Sequence, residues 1–184
     1  GLFTADTEVG VYATNIKLYT LGTSLVINYL GVLLPQLVVS EAKNPDSLAG
    51  TLNASMKKLL PLGLGVTALA VILAAFGLQL LYGAGYVGGV LALRILIAAW
   101  PLHLISGHFR TALLAQGRQH LEFVLFIAAM TVHLVVKLGL APWFGPLGVA
   151  CGTWIGELSL VIFTGWVWFR GNPPRPGVHL ERKA

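Results

Sequence analysis

Charge is what this sequence has least of. Only 10% of its 184 residues are Asp, Glu, Lys or Arg, where a soluble globular domain carries about a quarter. A chain so poor in charge cannot cover a water-facing surface. Its 56% hydrophobic content and mean hydropathy of +0.79 place it in a bilayer. Cysteine is nearly absent as well: Cys151 stands alone, which excludes an internal disulfide framework and leaves the redox compartment open. There is no phosphate loop, no HExxH, no CxxC and no nucleophile elbow, so neither a water-exposed hydrolase or kinase nor any other enzyme activity is expected. His103 and His108 are five apart, on different helix faces, and His133 has no histidine four residues on. That spacing suits no metal, and no cofactor is expected. The opening GLFTADTEVG lacks an initiator Met, a basic n-region and a cleavage pattern. We therefore expect the chain to be a fragment whose beginning lies upstream.

What the sequence does have is apolar length. Five segments, roughly 9–39, 59–82, 87–115, 121–140 and 145–168, are long enough to cross a hydrocarbon core, which needs about 20 apolar residues. The fold expected is an all-α integral membrane bundle over residues 1–169. Short breaks at 83–85, 116–119 and 141–146 make consecutive spans antiparallel neighbours. Asn44-Pro45-Asp46-Ser47 is a helix-start signal, and Leu48, Leu52, Met56 and Leu59 follow at helical spacing. Residues 47–58 are therefore expected as a short amphipathic helix lying in the membrane interface. The Pro-rich, basic residues 170–184 are expected to be a disordered tail.

The net charge of +5 could suggest a nucleic-acid partner, but the basic residues do not form a patch interleaved with aromatics, so none is expected. They mark orientation instead. Lys43, Lys57, Lys58, Arg118, Arg170, Arg175, Arg182 and Lys183 all fall on one side of the expected topology, and the other side carries only Asp6 and Glu8. By the positive-inside rule, the expected location is the cytoplasmic membrane, with residue 1 outside and the tail in the cytoplasm. Trp143, Trp166, Trp168, Tyr82 and Tyr86 sit near span ends as interfacial anchors.

The first span has a polar stripe. At 100° per residue, Gly10, Lys17, Thr20, Ser24, Asn28, Gly31 and Pro35 fall within about 60° of Lys17, while Asn15 and Thr23 lie off the stripe. Lipid would penalise such a face, so it should border a wet, protein-lined cavity. Gly31 and Pro35 mark an expected bend. Charges recur inside later spans. Counting about 1.5 Å per residue from the outer ends puts Lys17, Arg94 and His133 about 10–12 Å deep and Glu157 about 16 Å deep, so the four are expected to converge. Lys17 and Arg94 read either as ligand-facing cations or as side chains snorkelling outward. Lys137 reads as snorkelling, and Arg110 as headgroup chemistry. Glu157 is either a structural partner for a cation or a site of proton or cation coupling, and His133 is a lesser candidate for a titrating role. Gly148, Gly152 and Gly156 form a small-residue ridge that suits close helix packing.

Four stretches carry a family resemblance: EVGVYATNIKL at 8–18, LLYGAGYV at 80–87, LLAQGR at 113–118 and FGPLGVACGTWIGE at 144–157. In order and spacing the chain resembles the latter half of the polysaccharide and lipid-linked oligosaccharide flippases, a family in the same superfamily as the multidrug and toxin exporters. The resemblance implies a 12–14-helix transporter of two lobes around a central cavity, with this chain as most of the second lobe and the N-terminal lobe as its partner. It implies a polyprenyl-diphosphate-linked glycan as substrate, moved by alternating access. Lys17, Ser24, Asn28 and Arg94 would then contact the substrate, and Glu157 or His133 would couple ion binding to the switch. At the position two before the lysine, where the family has a small residue, this chain has Asn15, which moves a polar group onto a helix–helix contact. Two other readings stay open: an exporter of drugs or small molecules, and a non-transporting membrane scaffold.

Overall fold

The computed structural model describes residues 6–171, all but a few of them helical. The first five residues and the tail beyond Gly171, with Arg175, Arg182 and Lys183, lie outside the described residues. Helix α1 runs Asp6–Lys43, α2 Pro45–Tyr82, a 3-10 turn Ala84–Gly89, α3 Val90–Ile97, α4 Trp100–Ala115 and α5 Gln119–Gly171. Four helical runs, Gly10–Lys43, Asp46–Tyr82, Ala84–Ala115 and Gln119–Gly171, are long and apolar enough to cross a membrane. Multi-pass membrane insertion is therefore plausible on length and composition.

Four runs rather than five are found because the last is folded on itself. At Gly145 the backbone takes φ 53° and ψ −132° inside the 53-residue α5. Only glycine reaches that region without a steric penalty, and Pro142 and Pro146 on either side weaken helical hydrogen bonding there. The two arms, residues 119–144 and 146–171, pack back to back. Gly148 lies against Leu140, Gly152 against Lys137 and Gly156 against His133, a register that steps backward along one arm as it steps forward along the other. Each glycine lets the opposing arm approach where a side chain would hold it off.

The third run is interrupted, where the sequence led us to expect a single span over 87–115. Pro101 has no N–H to give the carbonyl of Ile97. The chain answers with a tight turn in which Ala99 N–H bonds to Leu96 O at 3.0 Å, and α4 restarts with His103 N–H on Ala99 O at 3.0 Å. A Schellman motif ends α4. Gly117, at φ 71°, donates to Leu114 O at 3.0 Å and Arg118 donates to Leu113 O at 2.9 Å.

The start of α2 also differs from expectation. Residues 47–58 do not form a separate interfacial helix; they continue through Pro61 into one helix of 38 residues. The reason is packing, because their apolar face is needed inside. Leu48 and Leu52, both 0% exposed, pack with Leu33 and Leu37 of α1, Phe109 and Ala112 of α4, and Trp168 of α5. α1 likewise continues as helix through Pro35 to Lys43. The helix-start signal is used as read: Asn44 Oδ1 accepts from Ser47 N–H at 2.6 Å and Pro45 occupies the first turn. Asn44→Ala is expected to destabilise the chain by about 1 kcal/mol. An SDS-unfolding midpoint that did not move would show that the cap contributes nothing.

The packing also sorts the helix ends. The cluster around Leu37, Leu48, Ala112 and Trp168 joins the end of α1, the start of α2, and the ends of α4 and α5, and Arg118 sits against Gly171 at that same end. Opposite lie two smaller clusters, one of Ala74 and Leu78 against Leu93 and Ile97, the other of Ala92 and Leu96 against Ala150. Outward, α2 presents Leu62, Leu69, Ile72, Phe76 and Leu80, each more than half exposed. A continuous apolar stripe of that length suits lipid or another protein and not water.

Candidate functional site

Polar groups buried among so many apolar helices must find partners, since each unsatisfied one costs free energy. Three of the places where they meet join separate elements. The first is a contact between α1 and the 3-10 turn. Asn15, off the polar stripe, is fully buried, and its Nδ2 donates to Gly89 O at 2.9 Å. Gly89 has no room for a side chain there, because a Cβ would meet Val11 and Asn15.

The second is a hydrogen-bonded chain joining α1, α2 and α4. His108 is 0% exposed, its Nδ1 lies 2.7 Å from Leu104 O and its Nε2 lies 2.8 Å from Ser55 Oγ. The Tyr29 hydroxyl meets Ser55 Oγ in turn. A carbonyl only accepts, so Nδ1 carries a hydrogen and His108 donates to Leu104. With the imidazole neutral, Nε2 accepts from Ser55, and Ser55 in turn accepts from Tyr29. In this arrangement each group is satisfied and the three helices are tied together.

The third place is the candidate site. Glu157, on the second arm of α5, is met by His103 of α4 and Tyr19 of α1. His103 Nδ1 is 3.0 Å from Glu157 Oε1, and the Tyr19 hydroxyl donates to the same oxygen at 3.3 Å. Glu157 and His103 side chains keep 14% and 16% of their exposure, so the pair is shielded but not sealed. The other carboxylate oxygen, Oε2, and His133 Nε2 are buried with no hydrogen-bond partner among the described residues. Both residues line one partly open cavity of about 60 Å³ between α4 and the two arms of α5, to which Phe126, Met130 and Leu160 also contribute. Arg110 borders the same cavity, but its charge is already answered: Nε lies 2.6 Å from Glu122 Oε1, and the guanidinium stacks 4.7 Å from the Phe126 ring.

The expected convergence of Lys17, Arg94, His133 and Glu157 is thus half realised. His133 and Glu157 share the cavity. Arg94 does not join them; it is exposed on α3 and its Nε donates to Val71 O of α2 at 3.1 Å. Tyr12, Ile16 and Tyr19 form the face of α1 that packs on α3 and α5, which turns Lys17 away. Lys17, Thr20 and Asn28 are exposed, and Ser24 is half-buried with its hydroxyl on Thr20 O at 2.7 Å. Arg110, read from the sequence as headgroup chemistry, is instead a partner of Glu122. Lys137 lays its side-chain stem over Gly152.

His103 and Tyr19 were not singled out by sequence reasoning. The usable signal was the need itself: a carboxylate inside apolar helices requires donors, and few side chains there can donate. Among the described residues, no group of three His, Cys, Asp or Glu side chains is placed to hold a metal ion. Comparison of the chain with protein-family models, curated proteins and solved structures finds no match.

Proposed function

We propose that this chain is the second lobe of a multi-pass transporter that flips a polyprenyl-diphosphate-linked oligosaccharide or polysaccharide precursor across the cytoplasmic membrane. In this reading residue 1 is outside and the tail is in the cytoplasm; the positive-inside rule supports it, since Lys43, Lys57, Lys58, Arg118 and Arg170 belong to the end where α1 finishes and α2 starts. The observation that carries the reading is the exposed polar stripe of α1. Lys17, Thr20 and Asn28 stand on the surface of a membrane-length helix whose other exposed residues include Leu21 and Leu25. An ammonium group facing hydrocarbon costs about 2.5–3.5 kcal/mol on insertion scales, so the stripe belongs against a second lobe or a water-filled path. There a diphosphate headgroup finds the cation it needs in a low-dielectric setting. Arg94, on the seam between α2 and α3, is a second exposed cation on the substrate's path, and Ser24 and Asn28 supply hydrogen bonds to sugar.

The cavity beside Glu157 is not the glycan site. About 60 Å³ has room for a few waters, whereas pockets for drug-sized ligands measure about 300–1,000 Å³. Glu157 and His133 serve the conformational switch, through a ligand that binds its two states with different affinity. The same size argument weighs against a drug exporter built around Glu157, and the cationic stripe weighs against cationic cargo.

Lys17→Ala is expected to reduce glycan export at least tenfold at unchanged protein level, with partial recovery in Lys17→Arg, which keeps the charge. The assay is accumulation of the lipid-linked precursor on the cytoplasmic face. Normal export by the alanine variant would overturn the role of Lys17. Loss of the protein itself would favour a scaffold.

A further inference from the structure

The register of the α5 hairpin runs on to its open end. The contacts of Gly148 with Leu140, Gly152 with Lys137 and Gly156 with His133 continue to Gly171, where a Cβ would lie 2.9 Å from Arg118 Nη1. The residue before the hairpin and the last turn of its second arm therefore meet, and each brings a guanidinium. Arg170 lies back along its own helix, with Cζ 4.2 Å from the centroid of the Trp166 ring. Neither arginine has a carboxylate partner among the described residues, because the acid closest to them in sequence on the first arm, Glu122, accepts from Arg110 at 2.6 Å. We infer that Arg118 and Arg170 form a binding site for the phosphate of an anionic phospholipid, with Trp166 setting its depth at the edge of the bilayer.

Two arginines stack on aromatic rings among the described residues, and they differ in what remains to them. Arg110 is spent on Glu122, whereas Arg170 is exposed and unpaired. A guanidinium stacked on an indole keeps its N–H edge free, and that edge fits phosphate oxygens two at a time. An indole favours the membrane interface, which is where phospholipid phosphates are. On the same face of the arm, Ile162, Trp166 and Phe169 are each more than half exposed, an apolar surface beside the cation that suits acyl chains. Arg118 approaches from the other arm. It is half-buried and held by the turn that ends α4, with its N–H on Leu113 O at 2.9 Å. Selectivity follows from the second charge of the lipid. Phosphatidylcholine offers the same phosphate but brings its trimethylammonium against two guanidinia, and phosphatidylglycerol carries no such cation. The site requires that the chain sit in a bilayer and does not rest on the flippase reading.

The test is native mass spectrometry of the full chain released from detergent micelles, with dioleoyl phosphatidylglycerol or dioleoyl phosphatidylcholine titrated in separately. The first phosphatidylglycerol is expected to bind about tenfold more tightly than the first phosphatidylcholine. Arg170→Gln is expected to lower that preference about fivefold, and Arg118→Gln together with Arg170→Gln to abolish it. Arg170 is exposed, so its single variant serves where the double variant does not fold. Trp166→Phe, which keeps a ring under the cation, should lose less of the preference than Trp166→Ala; equal losses would overturn the part given to Trp166. Lys57→Gln with Lys58→Gln removes the same charge from the exposed side of α2 and should leave the preference within about twofold. A loss as large as that of the arginine pair would overturn the inference, since attraction to any basic surface would then be enough. Equal binding of the two lipids by the unmodified chain would overturn it too. So would displacement of phosphatidylglycerol by inorganic phosphate at constant ionic strength, which would make a free anion the occupant. Glycan export is not read in this experiment, so a failed flippase assignment leaves its outcome intact.

Discussion

Replacing Gly148 with valine is expected to unfold the hairpin of α5. A Cβ at this position would lie 2.5 Å from the carbonyl oxygen of Leu140 and 2.7 Å from its carbon. These are backbone atoms that cannot rotate aside, so the arms must separate. Overpacking costs about 1–3 kcal/mol when side chains can adjust, and an obstruction by backbone belongs at or above the upper end. The other glycines make a graded series. At Gly152 the obstruction is the Lys137 stem, with Cγ at 2.6 Å and the backbone nitrogen at 3.1 Å, and at Gly156 it is the His133 side chain at 2.7 Å. At Gly77 nothing lies within 4 Å. Alanine there should stabilise slightly, because a methyl group has room and a helical glycine costs about 1 kcal/mol relative to alanine. SDS-unfolding midpoints measured for alanine and valine at each position are expected to fall in the order Gly77, Gly156, Gly152, Gly148. Equal midpoints for Gly77→Ala and Gly148→Ala would mean that the arms do not pack in this register.

Glu122→Ala has the second large effect, and its reason is charge. Glu122 is 12% exposed in its side chain and accepts from Arg110 at 2.6 Å. Removing it takes from the guanidinium the carboxylate that answers its charge and leaves it against the Phe126 ring. Breaking a buried pair costs about 3–5 kcal/mol, and the 29% exposure of Arg110 brings this to about 2 kcal/mol, since water reaches part of the guanidinium. The double variant Arg110→Leu, Glu122→Leu should regain most of the loss, because two apolar side chains need no partner. A double-mutant cycle with no coupling between the two positions would show that the bond makes no contribution in the membrane.

Much of this architecture was legible in the chain. Alternation of long apolar runs with Asn44-Pro45, Gly83 and Gly117 located the helix ends, since those residues cap or turn for local reasons that need no neighbour. The ridge at 148, 152 and 156 was legible as a packing surface, though not its partner: spacing says that a helix can come close, and only the fold says that it is the preceding arm. Residues 47–58 were misread because an amphipathic pattern reports one apolar face and is silent on whether lipid or protein covers it. Leu48 and Leu52 are covered by α1, α4 and α5. Arg94 was expected beside Glu157 on depth alone, and depth carries no information about direction around the helix axis. The polar stripe of α1 was legible because angular position within one helix is a local property, and the same periodicity put Asn15 and Thr23 elsewhere. Both are buried, Asn15 at 0% and Thr23 at 7% exposure.

The sequence by itself determined the elements and made four of the helical runs long and apolar enough to cross a membrane. A chain with 10% charge, apolar runs of membrane length and short polar breaks has helices as its way to satisfy backbone groups in hydrocarbon, and its capping residues say where they stop. Tertiary structure alone decided which polar side chains meet. Glu157, His103 and Tyr19 are up to 138 residues apart and share no periodicity. Their meeting depends on the fold at Gly145, the break before Pro101 and the rotation of α1 that turns the half-buried Tyr19 inward while leaving Lys17 outside. Hydrophobic burial is set by composition and period, which are written locally. The pairing of a few polar groups follows from the crossing and rotation of whole helices, which no single segment contains.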